Sequence, residues 1–246
     1  MTQLTRGLCL ALLATTTFVG SAHAATTTGS GKTATETRSL SGFQAISMRG
    51  DIDVTVRQGS SEGVQVRADD NILPLVQTVV EGRGDARTLR IQYKPGESVR
   101  AKTPVVVTVD VVKLSALASS GSGDVSVEAL KTPALSLSLA GSSDAKLHQV
   151  ETEQLSINIA GSGDVQASGR AAKLDISIAG SGDVQARNLA AGDVSISIAG
   201  SGDARVTAQK TLGVAIAGSG DVEYGGAATL AKSSVVGSGK LRKRQP

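Results

Sequence analysis

The segment Leu155–Val165 reads LSINIAGSGDV, and it decides the fold because the chain repeats it. Apolar and polar residues alternate through Leu155–Ile159, which is the pattern of a strand with one buried face. The tetrapeptide Gly-Ser-Gly-Asp follows almost at once, and its glycines can adopt the positive φ of a sharp corner. The segment therefore predicts one strand and one corner of a repeating unit.

The corner tetrapeptide recurs through the C-terminal half of the chain. Its last residues are separated by 18 to 20 positions. Ser143 replaces the second glycine in one copy, and Lys240 replaces the aspartate in the last copy. A unit this short cannot bury its apolar stripe alone, so we expect successive units to stack. The seven copies are Gly121–Asp124, Gly141–Asp144, Gly161–Asp164, Gly180–Asp183, Gly200–Asp203, Gly218–Asp221 and Gly237–Lys240.

This period predicts an all-β fold, a single-stranded parallel β-helix (β-solenoid) with about 20 residues per coil. Parallel pairing of successive coils would satisfy the backbone and place the apolar positions 137, 157, 176, 196 and 214 in one ladder. The general preference for right-handed connections between parallel strands predicts a right-handed coil. A β-sandwich would show hairpin turns every 8 to 12 residues or so, and a propeller blade spans roughly 40. Neither fits the repeat.

Residues 1–24 have the three regions of a secretory signal peptide. They contain Arg6, an apolar run, and the sequence Ala22-His23-Ala24, which predicts cleavage after Ala24. The apolar run is too short to span a bilayer. We therefore expect an exported protein, periplasmic or at the cell surface, without a transmembrane segment in its mature chain.

The mature chain divides into four further parts. Residues 25–40 are rich in Thr, Ser and Gly, which predicts a flexible leader. Residues 119–240 hold the regular repeats, and 241–246 form a basic tail. Residues 41–118 are an irregular β region, either degenerate first coils or a cap; Met48–Val54 resembles a worn corner and favours the first. Strands are predicted there at Gln44–Met48, Ile52–Arg57, Val64–Ala68, Leu75–Val80, Leu89–Tyr93 and Val105–Val111.

The composition leaves few groups for catalysis. Beyond residue 24 the chain has no cysteine and one histidine, His148. A serine nucleophile needs a neighbouring base, and a lone histidine in a connector is a poor candidate. The chain has four aromatic residues, and its net charge of +3 comes from its last residues, so nucleic-acid binding is disfavoured. We predict no catalytic residue, no cofactor and no nucleic-acid partner.

The corner aspartates are the one group that could hold a metal, because stacking would bring their carboxylates together and Ca²⁺ binds such oxygens. Ca²⁺-binding β-rolls, however, repeat at steps of roughly nine residues so that adjacent loops share each ion. Here a single aspartate occurs per coil. We therefore predict a structural role, in which each aspartate closes a turn with its own backbone, and no metal site. These residues are Asp124, Asp144, Asp164, Asp183, Asp203 and Asp221.

The outward positions of the repeat strands form a flat, weakly charged strip rich in hydroxyl groups. Such a strip is a candidate contact surface for a cell-surface glycan or a protein ligand. Its members are Ser136, Ser138, Ser156, Asn158, Asp175, Ser177, Ser195 and Ser197.

The chain resembles a family of exported bacterial proteins, the putative auto-transporter adhesin, head GIN domain family. The resemblance rests on Ser41–Ser47 (SGFQAIS), Gly50–Val56 (GDIDVTV), Val64–Leu73 (VQVRADDNIL) and the SGSGDV units, and it covers Ser41–Gly239. It implies a parallel β-helix in the periplasm or at the cell surface, and it supplies no catalytic residues.

Together these features predict an exported, non-enzymatic β-helix protein that acts as a structural or adhesin-like binding module. One alternative is a polysaccharide-active enzyme of the pectinase-like β-helix type, which would need acids with Lys or Arg clustered on one face. The other alternative is a β-roll that Ca²⁺ stabilises.

Overall fold

The computed structural model describes residues 26–84 and 87–244, and it is nearly all β, with 70% of its residues in strands. A 3-10 turn lies at Leu73–Leu75, and no helix in the described residues could cross a membrane. The N-terminal strands are β1 Thr26–Thr28, β2 Thr33–Arg38, β3 Ala45–Gly50, β4 Asp53–Gln58, β5 Gly63–Asp69, β6 Val76–Glu81, β7 Thr88–Tyr93, β8 Ser98–Arg100 and β9 Val106–Val111. The remaining strands are β10 Ala116–Gly121, β11 Val125–Val127, β12 Leu130–Gly141, β13 Ala145–Gly161, β14 Val165–Gly180, β15 Val184–Gly200, β16 Ala204–Gly218, β17 Val222–Gly225, β18 Thr229–Gly237 and β19 Leu241–Lys243.

Strands β12 to β16 form a column in which each strand lies parallel to the next. Leu155 pairs with Leu174, and Leu174 pairs with Val194, so equivalent positions of the repeat are neighbours. The result is a β-solenoid of about 6 turns with roughly 20 residues per turn, which confirms the predicted fold class. The segments that we expected as connectors mostly belong to the long strands, because the chain bends there while its backbone stays paired with the adjacent coils.

The interior of the column is the aliphatic ladder that the repeat predicts. Leu137, Ile157, Ile176, Ile196 and Val214 stack in register, and each is at most 3% exposed. Burying one such side chain stabilises a fold by roughly 1.5–3 kcal/mol. Because each contacts its counterparts above and below, the coils stabilise one another.

The column begins before the regular repeats. Strands β3 and β4 pair parallel with β10 and β11, with Gly50 opposite Gly121 and Val54 opposite Val125. Met48–Val54 therefore forms the corner of a first coil that stacks on the regular ones. On the far side of this coil, β7 lies parallel to β3 and β9 lies parallel to β4.

Antiparallel strands close this end of the column. Strand β5 lies between β2 and β9 and runs antiparallel to both, and β6 is antiparallel to β7. Residues 41–118 thus contain parallel strands that continue the column and antiparallel strands that lie at its end. The six strands predicted in this region lie within two residues of their expected bounds.

The segment that the composition predicts to be a flexible leader contains strands β1 and β2. Strand β1 pairs with β8, and β2 pairs with β5. Its polar side chains bury little apolar surface, so its order comes from backbone hydrogen bonds, which composition does not report. The predicted signal peptide and its cleavage site lie outside the described residues.

Candidate functional site

Each regular coil turns at its corner tetrapeptide, and backbone geometry explains the first glycine. The first glycines of the seven corners have φ between +111° and +147°, a region that suits glycine. At Gly200 (φ +139°), an added Cβ would lie 2.1 Å from the carbonyl oxygen of Gly180 in the preceding coil. Another residue at this position would be strained and would push the two coils apart.

The second glycine of the corner, its third residue, is buried at Gly182. At Gly182, an added Cβ would lie 2.2 Å from the carbonyl oxygen of Gly163 and 3.0 Å from Cγ2 of Ile159. Ser143 occupies this position in one coil, and the interior residue of the preceding coil that corresponds to Ile159 is Ser119. Both serines are buried, and their hydroxyl oxygens are 2.7 Å apart. The smaller interior residue makes room for the larger corner residue.

The corner aspartates link each coil to the next. Oδ1 of Asp164 accepts the backbone N–H of Asp183 at 2.9 Å, and Oδ1 of Asp183 accepts that of Asp203 at 2.8 Å. The same bond recurs along the column with donor–acceptor distances of 2.8 to 3.3 Å. Each bond joins two coils, whereas we expected each aspartate to close a turn within its own coil. In a stacked column the equivalent N–H of the next coil lies within reach of each carboxylate.

The residue types at the two ends of this aspartate ladder follow from the direction of its hydrogen bonds. Asp53 is the first member, and its Oδ1 accepts the backbone N–H of Asp124 at 3.0 Å. Lys240 is the last member, and its backbone N–H donates to Oδ1 of Asp221 at 2.9 Å. The final corner needs only this backbone donor, so a lysine side chain is compatible with it.

Charge in the ladder is partly compensated by Arg205. Its guanidinium nitrogens lie 3.9 Å from Oδ2 of Asp183 and 3.5 Å from Oδ2 of Asp203. The Oδ1 atoms of the ladder are occupied by the backbone bonds. Within residues 26–84 and 87–244 no three His, Cys, Asp or Glu side chains are grouped to hold a metal ion.

The structure brings the predicted hydroxyl strip together on the outer side of β12 to β16. We call this surface the Ser/Ala face. It consists of three parallel columns of five residues that point outward at successive alternate positions. The columns are Ser136, Ser156, Asp175, Ser195 and Gly213; Ser138, Asn158, Ser177, Ser197 and Ala215; and Ala140, Ala160, Ala179, Ala199 and Ala217.

The Ser/Ala face is flat and carries almost no charge. Neighbouring members lie about 4.8 Å apart between coils and about 6.7 Å apart along a strand. Of the fifteen positions, Asp175 alone is charged, and its Oδ2 accepts a 3.3 Å hydrogen bond from Nε2 of Gln154. A shallow depression of about 390 Å³ lies against it, lined in part by Ser138, Asn158 and Ser177. The alanine column was not predicted, although its repetition in the sequence is a sufficient signal.

His148 lies apart from these serines. It is exposed and lines a separate depression of about 270 Å³ together with Gln166, Arg187 and Asn188. No residue of the Ser/Ala face lines that depression. The structure therefore does not bring His148 to the serine columns.

A second concave surface lies along the segments that precede the repeat strands, and we call it the connector groove. Its volume is about 790 Å³, and it is lined by Ala171 and Ala191 together with the basic residues Lys131, Arg170 and Lys210. The ammonium nitrogen of Lys131 is 3.5 Å from Oε2 of Glu151. Sequence reasoning missed this groove because its residues vary from coil to coil.

The family model for the putative auto-transporter adhesin, head GIN domain matches residues 42–228. This range includes the first coil, strands β5 to β9 and the whole Ser/Ala face. No curated protein matches the chain.

Several solved structures are similar to the chain along nearly its whole length. A putative adhesin from Bacteroides fragilis is 26% identical, with a TM-score of 0.80 over 89% of this chain and 100% of the other. A putative lipid binding protein from Parabacteroides distasonis is 25% identical, with a TM-score of 0.75 over 90% and 100%. A putative adhesin from Parabacteroides merdae is 23% identical and shares the fold, with a TM-score of 0.70 over 89% and 99%.

Proposed function

Because the chain belongs to the putative auto-transporter adhesin, head GIN domain family, we propose that it is an exported, non-enzymatic binding module with an adhesin-like role. The proposed binding surface is the Ser/Ala face, and the proposed ligand is a cell-surface glycan. One observation carries this proposal: fifteen small outward positions form a flat grid with a single charge.

The chemistry of the Ser/Ala face suits a polysaccharide chain. Serine hydroxyls both donate and accept hydrogen bonds, as sugar hydroxyls do. The alanine methyl groups beside them can pack against the apolar faces of sugar rings. The spacing of about 4.8 Å between coils is comparable to the length of one pyranose unit, so successive coils can contact successive sugars. Each contact is weak, and affinity would come from repetition along the column.

Export is part of the proposal. Residues 1–24 have the pattern of a secretory signal peptide. We expect the mature protein in the periplasm or on the cell surface, with Ala25 as its first residue. Fractionation of cells followed by N-terminal sequencing tests this expectation, and a mature protein found in the cytosol with residues 1–24 intact would contradict it.

Binding to a glycan array tests the proposed surface. Ser177→Arg places a large charged side chain in the middle of the Ser/Ala face and should abolish binding. Gln166→Arg makes the same substitution on an exposed position of the same strand, β14, outside that face, and should leave binding unchanged. Equal effects of the two substitutions, or binding that neither affects, would contradict the assignment of this face.

The same ligands test the absence of enzymatic activity. Glycans that bind should be recovered intact after prolonged incubation, as judged by mass spectrometry. Release of shorter products would favour the polysaccharide-active alternative. Binding to protein receptors without binding to any glycan would show that the proposed ligand class is wrong. The two arginine variants would still test whether the Ser/Ala face is the binding surface.

The connector groove favours a second candidate function, binding of an anionic lipid. It combines an alanine floor with three basic residues and two acidic ones, Glu151 and Glu153, and one of the similar structures is a putative lipid binding protein. Co-sedimentation with vesicles that contain phosphatidylglycerol tests it. Lys210→Glu should weaken binding to these anionic vesicles. Equal binding of the native protein to anionic and to neutral vesicles would exclude this candidate.

A further inference from the structure

The two ends of the column differ in how their last strand is covered. At the N-terminal end, antiparallel strands β2, β5 and β6 lie over the first coil. At the C-terminal end, β18 pairs with β16 through a parallel register, and all nine of its residues are exposed. The described chain therefore leaves this end of the column open.

Two of the three inward-facing residues of β18, Leu230 and Val235, are apolar and exposed, and the third, Ser233 opposite Val214, is polar. Leu230 and Val235 are opposite Leu212 and Ile216, which are 0% and 2% exposed inside the column. Leu230 and Val235 are 44% and 40% exposed because no further coil of the described residues covers them. A strand laid along β18 would bury both side chains and pair with the backbone groups on its outer edge.

Charge identifies what kind of strand fits. Residues 222–244 contain five basic residues, and their single acid, Glu223, pairs with Arg187 at 3.0 Å. A second copy that approached with its own C-terminal end would bring two sets of these cations together. Its N-terminal end is not available for pairing, because the cap covers it. An acidic partner would be attracted. The five are Lys232, Lys240, Arg242, Lys243 and Arg244.

We propose that the open end of the column binds an extended acidic segment of a partner protein, which adds to β18 as a further strand. A polypeptide offers the N–H and C=O groups that pair with a strand edge, together with alternating side chains that can cover Leu230 and Val235. A polysaccharide or a lipid surface offers only the charge. This surface is separate from the Ser/Ala face and does not depend on the proposed glycan binding.

A labelled peptide of alternating valine and threonine, flanked by glutamates, is the probe. Fluorescence anisotropy should show saturable binding, and hydrogen exchange should show new protection of residues 229–237. Val235→Asp places a charge on the inward side and should weaken binding about tenfold or more. Val236→Asp makes the same change at the next residue, which is 69% exposed and faces outward, and should have a much smaller effect.

The matched pair separates strand addition from simple attraction. Equal weakening by Val235→Asp and Val236→Asp, or peptide binding without protection of residues 229–237, would overturn the proposal in favour of a general anion-binding surface. The proposal would also be overturned if anionic vesicles or polygalacturonate bound equally well and competed with the peptide. Concentration-dependent dimerisation without peptide would assign this end to a second copy. If Val235→Asp fails to fold, the comparison is repeated with Leu230→Asp as the inward substitution and Ser234→Asp as the outward control.

Discussion

At the residue scale, the contact between Ser119 and Ser143 shows how strictly one coil constrains the next. The corner position of Ser143 is glycine in the other regular coils, and the interior position of Ser119 is leucine or isoleucine in β12 to β16. Each departure is tolerated because the other is present. The hydrogen bond between the two hydroxyls also satisfies two buried polar groups.

This pairing predicts a non-additive double-mutant cycle. Ser119→Ile should destabilise the protein by roughly 1–3 kcal/mol, because it overpacks the space beside Ser143 and leaves that hydroxyl without its partner. Adding Ser143→Gly recreates the combination found in the following coils. The double variant should therefore recover most of the loss, as measured by the free energy of unfolding in urea.

Ser143→Gly alone completes the cycle and should have a modest effect. The coupling energy between the two positions should exceed about 1 kcal/mol. Residues in contact typically show coupling energies of about 0.5–3 kcal/mol. Additive effects would show that the two serines do not constrain each other.

At the scale of the structural element, the corner requires glycine through both backbone conformation and contact with the preceding coil. Gly200→Ala should destabilise the column by roughly 2–4 kcal/mol, because alanine at φ +139° is strained and its Cβ would contact the backbone of Gly180. The midpoint of urea unfolding measures the loss.

Gly213 provides the control for this prediction. It lies within strand β16, and an added Cβ would meet no atom within 4 Å. Gly213→Ala should therefore leave stability unchanged or raise it by about 0.4–1 kcal/mol, through the lower entropy of the unfolded chain. Similar losses from both substitutions would mean that glycine at the corner has no special role.

The elements differ in how far sequence could predict them. The corners and the ladder through Ile157 and Ile176 were predictable because stacked coils impose the same environment each time, which leaves a repeat in the sequence. The link from Asp164 to the next coil was not, because it depends on which backbone N–H lies above the carboxylate. Strand β2 was missed because its order comes from backbone pairing with β5, which no side-chain pattern reveals.

At the scale of the whole molecule, the N-terminal cap is fastened by one buried carboxylate. Asp69 accepts the backbone N–H groups of Gly31 and Lys102 at 3.0 and 2.8 Å. It also accepts the backbone N–H and the hydroxyl of Thr103 at 3.3 and 3.0 Å. These bonds tie the turn between β1 and β2 to the loop that precedes β9, so the cap depends on this side chain being ionised.

The stability of this end should therefore fall in acid. Burial acts to raise the pKa of Asp69, but the hydrogen bonds from Lys102, Thr103 and Gly31 outweigh it and hold the pKa below its usual value of 3.8. A carboxyl group with a lowered pKa stabilises the folded state above the unfolded pKa, and that contribution is lost as the pH falls through the folded pKa. Hydrogen exchange should show β1 and β2 losing protection below about pH 4, before the central coils do.

Asp69→Asn isolates the contribution of this carboxylate. The variant should be less stable than the native protein at pH 7 and should approach it as the pH is lowered, because protonation removes the same charge from the native side chain. Asp175→Asn makes the same change on the exposed Ser/Ala face and should leave the exchange of β1 and β2 as it is. A constant difference between the native protein and Asp69→Asn from pH 7 to pH 3 would mean that the cap does not depend on an ionised Asp69.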